Sequence, residues 1–166
     1  DLVTNKILSK LNSECINING IKGIEIFGNH SQLNDISVYE NINFRGSKKR
    51  TEMLDALTEK KRIFVLLELN PPCPNSMIEA LCLGIPCVGF NSGSFDELLK
   101  GAGISLPYDS DVWKLEPPNL NCLIDAINNV VEDYENLSNK AFKIAKDYSL
   151  DTMCKNYFEI IQKQLR

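Results

Sequence analysis

Residues 71–99 read PPCPNSMIEALCLGIPCVGFNSGSFDELL. Pro72 and Pro74 stiffen the approach and donate no backbone hydrogen bond. Asn75 to Leu83 then has helical spacing and stops at Gly84 and Pro86. Pro86 to Phe90 is an apolar run of strand length. Ser92-Gly93-Ser94 follows it and opens a second helix, Ser94 to Lys100. The pattern predicts two helix N-termini, each placed after a strand end. A helix N-terminus carries free N–H groups and partial positive charge. Two of them beside one sheet edge can seat a diphosphate.

The alternation continues on both sides. Asp1 to Leu11 has helical spacing at Leu2, Ile7, Leu8 and Leu11. Gly23 to Gly28 and Asn41 to Phe44 read as short strands, the second closed by Arg45-Gly46-Ser47. Lys49 to Glu59 is helical, with Met53, Leu54 and Leu57 inward. Arg62 to Leu67, RIFVLL, has the apolar character of a strand buried on both faces. Gly103 to Pro107 reads as a last strand and Tyr108 to Pro118 as a polar loop. Amphipathic helices follow at 120–134, 135–148 and 151–165. Alternating strands and helices predict an α/β domain, a Rossmann-like parallel sheet flanked by helices. Ligands in such sheets sit at the carboxyl ends of strands, near a switch in strand order. The loops after Phe27, Phe44, Leu67 and Phe90 are therefore the ones to watch.

A chain of 166 residues fits one domain, residues 1–166, with a full core. The formal net charge of -4 and the pI of about 5.1 argue against a nucleic-acid partner, whose footprint is basic. None of the six cysteines forms a C-x-x-C pair, and His30 is the one histidine, so no zinc pattern appears. Cysteines in contexts such as EALCLG and IPCVGF read as buried free thiols of a reducing compartment. Ile63 to Leu67, the longest apolar run, is far short of the ~20 residues that span a bilayer. No signal-peptide pattern is read. The expectation is a cytoplasmic protein.

Ser76 and Glu79 form S-x-x-E, and on the residues alone a capping box is the favoured reading. The alternative sets Glu79 on a ribose, whose two hydroxyls a carboxylate can accept. Ser94 reads as an N-cap, with Asp96 and Glu97 in the first turn. Gly93 permits positive φ or close approach. Asp109-Ser110-Asp111 resembles a D-x-D metal motif, but turn chemistry explains it better, and no metal is expected. Lys48-Lys49-Arg50 and Lys60-Lys61-Arg62 read as solvated helix ends. Arg45, directly after a strand, is the better candidate to face a ligand. His30 is assigned no catalysis.

From about Gly23 to the C-terminus, the order and wording of these segments resemble the C-terminal half of GT-B fold glycosyltransferases, specifically the large retaining family 4. PCPNSMIEALCLGIPCVGFNSGSFDELL looks like the family's donor-site signature. GIEIFG resembles the strand ending in its first glycine loop, and INFRG the strand whose turn meets the base. YSLDTMCKNYFEII resembles the closing helix, which in the family packs back across the partner domain. The resemblance implies one half of a GT-B fold that binds a nucleotide-diphospho-sugar such as a UDP- or GDP-sugar. By position, Glu79 would hold the ribose hydroxyls and the backbone of Asn75, Ser76 and Met77 the diphosphate. Gly93 and Ser94 would sit beside sugar and phosphate, and Gly28, Arg45 and Gly46 would border the base.

Two departures from the family stand out. The acidic residue that often pairs with Glu79 as Glu-x7-Glu is Pro71 here. The family also has a strand ahead of its first helix, ending G-R and followed by a lysine, whereas DLVTNKILSK reads as the helix after it. The implied whole is a longer enzyme whose N-terminal acceptor domain and first strand lie outside these residues. It would transfer a sugar with retention, in bacterial capsule, O-antigen or lipopolysaccharide synthesis, without a metal cofactor. Membrane contact, at the inner face of the cytoplasmic membrane, would come through the acceptor domain. The fragment alone is expected to be inactive and holds no assigned catalytic residue. Two other classes stay open: a flavodoxin-like regulatory or partner-binding module, and half of a sugar-nucleotide epimerase.

Overall fold

The computed structural model describes residues 2–14, 20–28, 36–114 and 116–165. Cys15 and His30 lie outside them. Among the described residues the α-helices and strands are α1 (Leu2–Glu14), β1 (Ile24–Phe27), β2 (Ile42–Gly46), α2 (Arg50–Thr58), β3 (Phe64–Leu66), α3 (Asn75–Cys82), β4 (Cys87–Phe90), α4 (Phe95–Leu99), β5 (Gly103–Leu106), α5 (Asn121–Glu132), α6 (Tyr134–Ala145) and α7 (Leu150–Gln164). Every observed strand pairing is parallel. This is the expected α/β architecture, with parallel strands flanked by helices.

The strands form two hydrogen-bonded groups, β1–β2 and β3–β4–β5. Arg62, just before β3, pairs with Glu25 of β1, which puts β3 beside β1; the chain runs from β1 to β2 in one group and from β3 through β4 to β5 in the other, so strand order reverses between β1 and β3. β4 is buried along its whole length, as a central strand covered on both faces must be. RIFVLL departs from expectation. Only Leu66 of β3 is buried, while Phe64 and Val65 are half-exposed. The reason is topological: β3 hydrogen-bonds to β4 on one side and to no described strand on the other.

One cluster joins Val88, Phe90 and Leu106 to Leu123, Ile127 and Val130 of α5. A second, on the other face, joins Met77, Ala80 and Leu81 of α3 to Phe95 and Leu99 of α4. Burying one such side chain contributes roughly 1.5–3 kcal/mol. Cys82 follows Leu81 around the helix and points out, so the thiol reading needs correction. Among the described cysteines only Cys87 is buried; Cys73, Cys82 and Cys154 are exposed and Cys122 is intermediate. Burial pushes the Cys87 thiol up, which makes it an inert core side chain.

α7 is amphipathic as expected, yet it has no buried residue. Its apolar side chains Leu150, Met153, Tyr157, Phe158, Ile160 and Ile161 are exposed. Among the described residues, no helix is long and apolar enough to cross a membrane.

Arg62 departs from the solvated reading of Lys60-Lys61-Arg62. Its side chain is 17% exposed, and one terminal nitrogen pairs with Glu25 of β1. The other donates to the Ala56 carbonyl at 2.7 Å. Arg45 reaches the same Glu25 through Nε (3.2 Å) and Nη2 (2.6 Å). Burial alone raises the Glu25 pKa; the hydrogen bonds from Arg45 and Arg62 outweigh it and hold the carboxyl below its ordinary value. A depressed carboxyl pKa stabilises the fold above the unfolded value, and the contribution is lost as pH falls through the folded one. Glu25→Gln is therefore expected to lower the melting temperature at pH 7. The gap to the unaltered chain should close on acidification below about pH 4. Thermal melts across pH read it; a gap independent of pH would contradict it.

Candidate functional site

The site is built where strand order reverses, at the carboxyl edge. After β3 the chain passes through Asn70, Pro71 and the two further prolines into α3; after β4 it passes through Ser92 and Gly93 into α4. Three hydrogen bonds staple these loops together. The Asn70 N–H donates to Ser92 Oγ (3.2 Å). Both the Ser94 N–H (2.9 Å) and the Ser94 hydroxyl (3.1 Å) donate to the Pro71 carbonyl. Ser92, alone among the described polar residues, is buried. Gly93 lies at φ +58°, and a Cβ there would stand 2.6 Å from the Pro71 nitrogen. The pattern SGS thus encodes a backbone-to-backbone clasp that only glycine permits.

The two helix starts are neighbours, as the sequence predicts, but they are not equivalent. The Met77 and Ile78 N–H groups both donate to the Pro74 carbonyl. That places Pro74 at the N-cap, with no side-chain cap. Asn75 and Ser76, both exposed, are left with N–H groups outside the helix ladder. The Met77 amide is not open, and its side chain is fully buried. At α4 the Ser94 amide is taken by Pro71, so this five-residue helix offers less than α3 does.

The capping box is absent. Because Pro72 and Pro74 hold the chain extended up to residue 74, Ser76 falls inside the first turn rather than at the cap. Glu79, one turn further, pairs instead with Arg50, the first residue of α2, with Nη2 to Oε1 at 2.9 Å. The Glu79 side chain is 25% exposed and that of Arg50 72%. Glu79 thus stands beside the open α3 start, and among the described residues one of its carboxylate oxygens has no partner. Arg50 lies 29 positions away from Glu79, and no local pattern signals the pair.

On the other side of the reversal, the Gly28 N–H donates to the Gly46 carbonyl at 3.0 Å. Both glycines have positive φ, and a Cβ on either would meet nothing within 4 Å. Among the described residues, the ends of β1 and β2 therefore present bare backbone with no side chain packed against it. Arg45, expected to face a ligand here, is turned back to Glu25 in the amino half of β1. It couples strands rather than lining the carboxyl edge.

The aspartates of 109–111 are engaged in turns. Asp111 accepts from the Trp113 and Lys114 N–H groups and Asp109 from that of Asn119. Among the described residues, no cluster of three His, Cys, Asp or Glu side chains could hold a metal ion.

No family model matches the chain, and no curated protein matches it in sequence. Solved structures do match its fold. The pneumococcal O-GlcNAc transferase GtfA, solved with UDP and GlcNAc, superposes at TM-score 0.71 and 14% identity, over 97% of this chain and 33% of that one. Anabaena HepE, solved with UDP, gives TM-score 0.68 and 17% identity over 97% and 45%. Sucrose-phosphate synthase from Thermosynechococcus elongatus gives 0.68 and 15% over 98% and 43%. This chain thus spans a third to under a half of each of those proteins. At such identities the likeness concerns architecture, and that architecture is one half of a GT-B fold.

Proposed function

We propose that this chain is the donor-binding half of a glycosyltransferase and holds a nucleoside-diphospho-sugar over the reversal between β1 and β3. One observation carries the reading. The clasp between Asn70–Pro71 and Ser92–Ser94 fixes the α3 start, with the Asn75 and Ser76 amides open and the Glu79 carboxylate one turn behind. A diphosphate at the amides receives directed N–H groups and the positive end of the helix. A carboxylate one turn along is placed to accept ribose hydroxyls. The bare backbone at Gly28 and Gly46 leaves room for a planar base, and Gly93 and Ser94 border the sugar. Developing charge on the leaving diphosphate is stabilised by the α3 start, with no metal in the mechanism.

The resemblance of residues 71–99 to the family-4 donor signature supports retaining transfer in bacterial surface-polysaccharide assembly, at the cytoplasmic side. The acceptor belongs to an N-terminal domain, and the uncovered apolar face of α7 is the surface that would meet it. A reaction in a two-domain cleft needs both walls to position reactants and exclude water. The residues of this chain alone are therefore expected to bind and not to turn over.

Titration calorimetry with UDP and GDP tests the reading. The unaltered chain should bind one of them, and Glu79→Ala should weaken that binding tenfold or more, about 1.4 kcal/mol. Arg50→Ala should weaken it by no more than about fivefold, as an exposed ion pair contributes roughly 0.2–1 kcal/mol. Equal affinity in Glu79→Ala removes the ribose assignment. Failure of the unaltered chain to bind either nucleotide removes the proposal.

A further inference from the structure

α4 is fastened at both ends by residues far away in sequence. At its start, the Ser94 N–H and hydroxyl donate to the Pro71 carbonyl, at 2.9 and 3.1 Å. At its end, the Tyr148 hydroxyl donates to the Leu98 carbonyl at 2.7 Å, across 50 positions. Carbonyls in the last turn of a helix have no partner within it, so Tyr148 satisfies a group that α4 cannot. Between the two ends, the Leu98 N–H donates to the Ser94 carbonyl at 3.1 Å. Tyr148, Leu98, Ser94 and Pro71 are thus joined in series, and Pro71 lies in the loop that sets the α3 start.

Lys100, directly after α4, is strained. Its φ of +45° lies in the left-handed region, which a lysine enters only at a cost. Such strain persists where the surroundings hold it. Here they hold the side chain twice: Nζ lies 3.0 Å from the Asp147 carboxylate and 5.1 Å from the centre of the Tyr148 ring. Glycine would suit the backbone better, but it has no side chain to reach Asp147 and Tyr148.

The elbow that carries both residues, 146–149 between α6 and α7, is braced on its own account. The Ser149 N–H and the Thr152 hydroxyl both donate to the Lys146 carbonyl, at 3.3 and 3.0 Å. Ser149 Oγ accepts from the Thr152 N–H at 3.2 Å and caps α7. Tyr148 also packs against the cluster that contains Met77, Phe95 and Leu99. Burial of Phe95 and Leu99 holds α4 on the domain, but apolar contact is non-directional. Where the five-residue helix lies along its axis is set by directed bonds at its two ends.

We propose that Tyr148 and Lys100 are positioning residues of the candidate site. The elbow sets where α4 lies, and α4 sets the clasp that aims the Asn75 and Ser76 amides and Glu79. The inference rests on the donor-binding reading and adds to it two residues that touch no ligand.

Calorimetry with UDP and GDP, run beside thermal melts and hydrogen exchange on the 166-residue chain, tests it. Tyr148→Phe removes the hydroxyl and keeps the ring. Affinity for the nucleotide that the unaltered chain binds should fall about threefold to tenfold, the effect of one hydrogen bond passed on to the site. Lys100→Gly relieves the backbone but loses both side-chain contacts, so its melting temperature should stay within about 3 °C of the unaltered chain. Its affinity should nevertheless fall as in Tyr148→Phe. In both variants exchange should quicken at Ser94 and stay unchanged in β4. Unchanged affinity in either variant overturns the proposal and leaves the donor-binding reading standing. Quickening along the whole chain, β4 included, would mark both residues as supports of the fold alone and overturns it too. Should Tyr148→Phe not fold, Lys100→Gly decides. If the unaltered chain binds neither nucleotide, the reading falls and takes this inference with it.

Discussion

Gly93→Ala is expected to disable the candidate site and destabilise the fold in one step. At φ +58° the residue sits in the left-handed region, which costs an alanine roughly 1–2 kcal/mol. The larger effect is contact. The three atoms nearest the added methyl all belong to the backbone of Asn70 or Pro71, with the Pro71 nitrogen at 2.6 Å and the carbonyl nearer still. No rotamer change relieves that, so one loop must leave the other. The bonds that then fail are those from Ser94 to Pro71 and from Asn70 to Ser92. The total is expected at about 2–4 kcal/mol, a fall of roughly 4–16 °C in melting temperature for a chain of this size. Nucleotide affinity should fall below detection, because the α3 amides and Glu79 lose their fixed relation to Gly28 and Gly46. Calorimetry with UDP after a thermal melt measures both. A variant with the melting temperature and affinity of the unaltered chain would show that the clasp is not needed.

The elements were legible from local pattern, and their partners much less so. Residues 75–82 and 87–90 announce helix and strand through spacing, glycine and proline, because those signals act within a few residues. RIFVLL announced a strand but not its burial, which depends on what lies beside it in the sheet. The stripe from Leu150 to Ile161 announced an amphipathic helix, but not that no described element would cover it. S-x-x-E failed as a capping box because the cap position is set by the preceding proline pair. At the site, Glu79, Asn75 and Ser76 were legible as residues that could meet a ligand; the structure sets them on one helix, with Asn75 and Ser76 exposed at its start and Glu79 paired with Arg50. Arg45 was legible as a cation after a strand, but its direction was fixed by Glu25, twenty positions earlier. Arg50 was missed because an ion pair across 29 positions leaves no trace in either segment.

Phe95→Ala is expected to have the largest effect on stability, and the reason lies in how short α4 is. Five residues cannot form a stable helix on local hydrogen bonds, since nucleation is unfavourable and a short run gains little from propagation. Its acidic first turn, Asp96 and Glu97, favours the dipole only slightly. α4 is held by its apolar face, where Phe95 and Leu99 are almost wholly buried against Met77, Leu81 and Ala102. The Phe95 ring also lies over β4 so closely that a Cβ on Gly89 would come within 2.8 Å of it. Removing the ring leaves a cavity bounded by a strand and a helix that cannot both close on it. A Phe→Ala change at such a position costs about 3–5 kcal/mol, which for this size is roughly 6–20 °C in melting temperature. Because Phe95 directly follows Ser94, loss of its anchor should free the loop that clasps Pro71. Hydrogen exchange should then quicken at Ser94 to Leu99 before the strands open. Uniform quickening along the chain, with α4 no faster than β4, would mean that α4 is held by something other than this ring.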